Sequence, residues 1–293
     1  MATRFNALDA FRGLCALSVV VFHTHISSSF TELAFFRNSS YFVEFFFVLS
    51  GFVLAHGYGM REDLTFKPYI IARFFRIYPL HIAMLIVFIL LEGGKLSAYE
   101  LLGFQFNKIP FTNDTAPSEI IPNLLLIQSW TDRWQSLSFN YPSWSISVEF
   151  YLYILLFGTT LLSLKTRKVA WGLISGGTVI LILSEIEILT NPAQRGLFCF
   201  FAGAVTYKTF TTFASIRLNP IVANALELIT IAAVVWLVQE NFEHKDLILP
   251  LVFCITVLIF ALEKTFWISS RSSISNGTSS ITPSSIDHPQ FLQ

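Results

Sequence analysis

Eight separate stretches of this chain are each apolar for about the length that crosses a lipid bilayer, and nothing else in the sequence restricts its fold so strongly. They run roughly over 8–28, 41–59, 76–92, 145–164, 169–188, 195–211, 221–239 and 247–267. Backbone polar groups in lipid must find partners within their own segment, so runs of this length are helices. The expected fold is therefore all-α, a polytopic transmembrane bundle of about eight spans. Composition agrees: 54% of the 293 residues are hydrophobic and 13% are charged, about half the charged share of an average soluble domain. A shorter apolar stretch, Ile120 to Trp130, falls short of a span and reads as interfacial or re-entrant.

Charge sets the expected orientation. With a cytoplasmic N-terminus, the inner loops and helix ends carry thirteen Lys and Arg and the outer ones six. The outer set includes the longest loop, about 93–143, so the positive-inside rule favours that topology. The first apolar run carries Arg12 near its start and His23 near its end, with no small-residue cleavage site after it, so it reads as a retained span. Zero net charge gives no reason to expect a nucleic-acid partner. Cys15, Cys199 and Cys254 lie far apart in apolar runs, which supports neither a metal site nor a disulfide framework. The domain is expected to span 1–267. From Ile268 to Gln293 there are nine serines with Pro283 and Pro289, and 268–293 reads as a disordered tail.

Ionisable residues inside spans are expensive and mark function by default. Arg12 and His23 are eleven residues apart. Eleven steps of about 100° return nearly to the same helix face, displaced about 16 Å along the axis. One face thus presents a guanidinium near the cytoplasm and an imidazole deep in the membrane; the plainer reading is an Arg that snorkels and a His bonded to a neighbouring helix. His25 points elsewhere and ranks lower. Glu44, in YFVEFFFVLSGF, must be paired, hydrated or protonated if it is buried. Arg73 and Arg76 are three apart, near neighbours on one face, and two guanidiniums at an inner entrance suit phosphate. Pro79 is expected to bend the start of the third span. Trp144 marks the outer interface, and Glu149 lies further in. His23, Glu44 and Glu149 therefore fall in the outer half of the bilayer, and Arg12, Arg73 and Arg76 at its inner face. That pattern fits an acyl-CoA whose phosphates rest on arginines while its thioester arm threads toward His23. The imidazole would act as general base, and Glu149 would orient it or bind the acceptor.

Four strings, LDAFRGLCALSVVVFH, YFVEFFFVLSGF, ARFFRIYP and PSWSISVEFYLY, in that order over the first 155 or so residues, resemble the membrane acyltransferase-3 family. This family includes O-antigen, exopolysaccharide and Nod-factor O-acetyltransferases. RGLFCFFAGAV resembles a further family helix. The resemblance implies transfer of an acyl group, acetyl first, from cytoplasmic acetyl-CoA or another acyl-CoA to a hydroxyl of a cell-surface or exported carbohydrate. It implies a bacterial inner (plasma) membrane location, with membrane lipid as the surroundings and no metal. By the same resemblance His23 matches the essential first-helix histidine and Glu149 the acidic residue of its string. Arg12, Arg73 and Arg76 match the arginines on the donor side. Glu44, a substrate-binding candidate with Trp144, stands where many relatives carry Asp. The family has about ten spans and ends on a Ser- and His-bearing helix, so the serine-rich end here reads as a truncation or frame change. A proton-coupled exporter and a truncated, inactive family member stay open as alternatives.

Overall fold

The computed structural model describes residues 5–24, 26–215 and 219–277; the side chains of Asn6, Pro220 and 263–277 are outside the description. Among the described residues, eight long helices stand where the eight apolar runs were read. They are α1 (Asn6–His23), α2 (Phe42–Leu54), α3 (Phe66–Leu102), α4 (Ser143–Thr160), α5 (Leu164–Leu183), α6 (Asn191–Phe213), α7 (Pro220–Gln239) and α8 (Lys245–Gly277).

Among the described residues, five segments are long and apolar enough to cross a membrane: Ser39–Gly59 around α2, α3, α5, Ile221–Gln239 in α7 and Lys245–Leu262 in α8. The other three, α1, α4 and α6, are of similar length but carry Arg12 and His23, Glu149, and Arg195 respectively.

Helix α6 is the central post. Phe198, Cys199, Phe200, Phe201 and Ala204 are all buried, covering every face of the helix over two turns. Its tightest neighbour is α2, and two glycines explain the fit. A Cβ on Gly51 would lie 1.8 Å from the carbonyl oxygen of Phe200, and one on Gly203 would lie 2.0 Å from that of Val48. Each glycine thus receives the other helix's backbone, the close approach that small residues allow between membrane helices.

Helix α3 is 37 residues long and runs without a break through Pro79. At 1.5 Å per residue it is about 55 Å, longer than a bilayer core is thick. The helix begins ten residues before the span expected from 76. The polar first turns, with Lys67, Arg73 and Arg76, extend the same helix beyond its apolar part.

Between α3 and α4 the chain forms a folded cap. The Ile120–Trp130 stretch is a five-residue helix (Ile120–Leu124) followed by turns packed on the start of α4. Ser147 Oγ donates to Leu126 O at 2.6 Å, and Trp130 Nε1 donates to Ser147 O at 3.2 Å. His81 fastens α3 to this cap through Asn123 O at 2.9 Å, a structural role. At the other end, buried Arg167 donates to five backbone carbonyls: Thr159, Thr160, Leu162, Gly59 and Arg61. It thereby closes the C-terminal ends of α4 and of the π-helical turn Ala55–Gly59. The boundary expected at 267 falls inside α8, whose residues up to Asn276 include no glycine or proline after Pro250. Residues 278–293 of the serine-rich segment, and His25, lie outside the described residues.

Candidate active site

Helix α1 has three faces, set by the spacing of its residues. Leu8 and Cys15, seven apart, turn into the bundle and are buried. Leu14, Leu17 and Val20, three apart, are more than 60% exposed and form an outward apolar stripe. Asp9, Arg12, Ala16, Val19 and His23, at steps of three and four, line two adjoining cavities together with Gly13. The eleven-residue relation between Arg12 and His23 therefore holds in the fold.

The larger cavity, about 470 Å³, is walled by Asp9 and Arg12 of α1, Phe46, Leu49 and Ser50 of α2, Arg76 of α3 and Glu149 of α4. The smaller, about 180 Å³, is walled by Val19, His23, Val43, Phe46, Phe47, Pro142, Trp144, Ser145 and Glu149. Phe46 and Glu149 belong to both walls, so the two spaces meet at that pair. The arrangement is cationic at one end, carboxylate in the middle and imidazole at the other end.

Each group is held differently. Arg12 makes a partly exposed ion pair with Asp9 at 3.3 Å, a contact worth little by itself, and keeps about half of its side-chain surface free. Glu149 is clamped at one oxygen: Ser50 Oγ donates to Oε1 at 3.0 Å, and the Tyr153 hydroxyl donates to the same atom. Tyr153 is one helical turn beyond Glu149 and is buried, so it acts on the carboxylate from behind. The ring of His23 lies edge-on to Tyr141, with centroids 5.4 Å apart, and to Phe22 at 5.0 Å. Trp144 lies against Phe47 at 6.0 Å and lines the small cavity.

Two expected residues sit elsewhere. Arg73 is one turn below Arg76 and is not on the cavity wall. It donates to the Tyr58 hydroxyl at 3.2 Å and lies over the rings of Tyr58 and Tyr153 at 5.3 and 5.9 Å. Its contact with Tyr153 still connects it to the Glu149 clamp. Glu44 is fully buried and outside both cavities. Arg195 Nε donates to its Oε1 at 2.6 Å, and Nη2 donates to the same oxygen. Arg195 and Lys245 both lie over the Tyr41 ring, at 5.6 and 4.7 Å. Glu44 thus stands apart from both cavities: a carboxylate with no exposed surface, paired with Arg195, it joins α2 to α6.

Ser50, Tyr153 and Arg195 were not singled out from the sequence. Ser50 and Tyr153 carry no charge, and Arg195 looked like one more loop cation. Their partners are 99 residues away, one turn away and 151 residues away respectively. Only the one-turn pair, Glu149 and Tyr153, had a signal in the sequence, its i,i+4 spacing. Among the described residues no group of three His, Cys, Asp or Glu side chains is placed to hold a metal ion.

A family model described as an acyltransferase domain, the acyltransferase-3 family, matches residues 5–282. Part of the chain is 31% identical to acyltransferase MdmB of Streptomyces mycarofaciens, over 52% of this chain and 38% of that protein. It is also 34% identical to protein 2 in the picA locus of Rhizobium radiobacter, over 45% of this chain and 82% of that protein. The chain thus spans well under half the length of MdmB. No solved structure matches it.

Proposed function

The chain belongs to the acyltransferase-3 family, and from that premise we propose that it is an integral-membrane O-acyltransferase. In this reading it moves an acyl group, acetyl first, from cytoplasmic acyl-CoA to a hydroxyl of an exported or cell-surface carbohydrate. The membrane is the bacterial plasma membrane, and the N-terminus is cytoplasmic. The observation that supports this most is the single face of α1 that carries Arg12 and His23 into two cavities meeting at Glu149. A transporter would need no such pairing of an anion-binding mouth with a base at the far end.

The donor enters at the arginine end. Its phosphates pair with Arg12 and Arg76, which line the larger cavity, with Arg73 adding positive charge one turn below. The thioester arm passes Phe46 and Glu149 and brings its carbonyl carbon beside His23. The acceptor hydroxyl approaches from the end lined by Pro142 and Trp144. His23 takes the hydroxyl proton as the oxygen attacks the thioester carbonyl, and the C–O bond forms. The tetrahedral intermediate collapses, the C–S bond breaks, and the proton on the imidazolium passes to the departing sulfur. Glu149, a carboxylate in the same cavity wall, stabilises the imidazolium while it exists. Its clamp by Ser50 and Tyr153 fixes where that charge sits.

The test is transfer of label from radiolabelled acetyl-CoA to glycan in membranes containing the protein. His23→Ala is expected to lower the rate by about 100-fold or more while donor binding persists. Full activity in His23→Ala at normal protein levels would remove the proposed base.

A further inference from the structure

The imidazole of His23 stands on the last residue of a helix, the place where helices fray. The final carbonyls of an α-helix have no partner within it, and the last turn opens easily unless something else binds them. At α1 Thr24 supplies two such bonds, its N–H to Val21 O at 3.0 Å and its hydroxyl to Val20 O at 3.1 Å, and a side chain from further along the chain, Arg37, adds three more. Arg37 Nη2 donates to Val21 O at 3.3 Å, Phe22 O at 3.2 Å and Thr24 O at 3.2 Å. Its Nε donates to Thr31 O at 2.7 Å, and the guanidinium lies over the Phe22 ring at 5.9 Å.

The anchor beneath Arg37 is itself ordered. Thr31 is buried, and its hydroxyl accepts from Ile26 N and donates to Ile26 O, both at 3.2 Å. Ser29 joins it at 2.8 Å. Residues 26–37 thus form a hook that returns to the end of α1 and presses a cation on its carbonyls. A positive charge at a helix C-terminus also opposes the negative end of the helix dipole.

We propose that Arg37 is a positioning residue for His23: by binding the carbonyls on both sides of it, Arg37 holds the last turn of α1 wound and keeps the imidazole in the cavity wall. This rests on the reading of His23 as the base. Arg37 itself touches neither cavity, so its effect on the reaction passes through the backbone of residues 21–24. Displacement of a catalytic group by an ångström is enough to slow a reaction by about 100-fold.

Two readouts test this on the full-length protein in detergent or nanodiscs, using Arg37→Ala and Arg37→Lys beside His23→Ala. In acetyl-CoA kinetics, Arg37→Ala is expected to lower kcat by about 10- to 100-fold and to leave KM for acetyl-CoA within about twofold, since the arginine end is untouched. Arg37→Lys, which keeps the cation but not the fork, is expected to recover part of kcat. In hydrogen–deuterium exchange, a measurement independent of activity, peptides covering 20–24 are expected to exchange at least about tenfold faster in Arg37→Ala, while peptides of α6 do not change. Unchanged kcat in Arg37→Ala, or faster exchange throughout the bundle instead of at the end of α1, would overturn the inference. If His23→Ala stays active, the base reading fails, and the exchange result then reports only on a helix cap. If His23→Ala is inactive and Arg37→Ala is not, only the positioning role fails.

Discussion

Replacing Gly203 with alanine tests the packing on which the cavity depends. The added Cβ would meet Val48 O at 2.0 Å, Val48 C at 2.8 Å and Val48 Cα at 3.0 Å. All three are backbone atoms, so no side chain can swing aside. Ordinary contact begins near 3.4 Å, and α2 and α6 must part by about 1.4 Å at that level to accept the methyl. Overpacking of this kind costs about 1–3 kcal/mol, which for a chain of this size lowers the melting temperature by at least about 2 °C. The displacement also reaches the site. Val48 and Ser50 are on the same helix, and Ser50 Oγ is 3.0 Å from Glu149 Oε1. Moving α2 by an ångström breaks that bond and opens the wall where the cavities meet. The assay is thermal unfolding of the purified protein in detergent, with acetyl transfer measured in parallel. Gly172→Ala is the control, because a Cβ there meets nothing within 4 Å. Gly203→Ala is expected to be less stable and less active than the control. Equal melting temperatures would refute the backbone-to-backbone packing of α2 and α6.

Two further predictions follow from the paired groups. Glu44→Gln or Arg195→Met alone leaves half of a buried ion pair uncompensated and is expected to cost about 3–5 kcal/mol, whereas Glu44→Leu with Arg195→Met together costs less than either single change; thermal unfolding of the set decides it, and additive losses would contradict the pairing. Tyr153→Phe removes one donor from Glu149 Oε1 without changing the shape of the helix. It is expected to lower kcat several-fold with the melting temperature within about 2 °C, and unchanged kcat would show that the clamp does not matter.

Much of this architecture could be read from the residues because lipid leaves few choices. Apolar runs of span length must be helices, and all eight are. The face shared by Arg12 and His23 was legible because helical geometry alone fixes a relation across eleven residues of one segment. Boundaries were less legible. Hydropathy marks where a helix leaves lipid, whereas α3 continues through Arg73 and Arg76 because its backbone bonds do not depend on what surrounds them. Relations between segments could not be read at all. Nothing near Glu44 announces Arg195, and nothing near Glu149 announces Ser50. Arg37 looked like one of six outer-loop cations, and its role at α1 depends on a turn that brings it back over Val21, Phe22 and Thr24. The partner of Glu44 was hidden for the same reason. The sequence neighbours of Glu44 say that it is in an apolar helix, but only the packing of α2 on α6 decides whether it faces a cavity or a partner.

The most direct measurement is a structure of the protein bound to an acyl-CoA analogue whose thioester sulfur is replaced by carbon, so that the acyl group cannot leave. The phosphates are expected beside Arg12 and Arg76, with the arm past Phe46 and Glu149 and the carbonyl carbon within reach of the His23 imidazole. An analogue seated on the Leu14, Leu17 and Val20 face of α1, or with its acyl end away from His23, would contradict the proposed route.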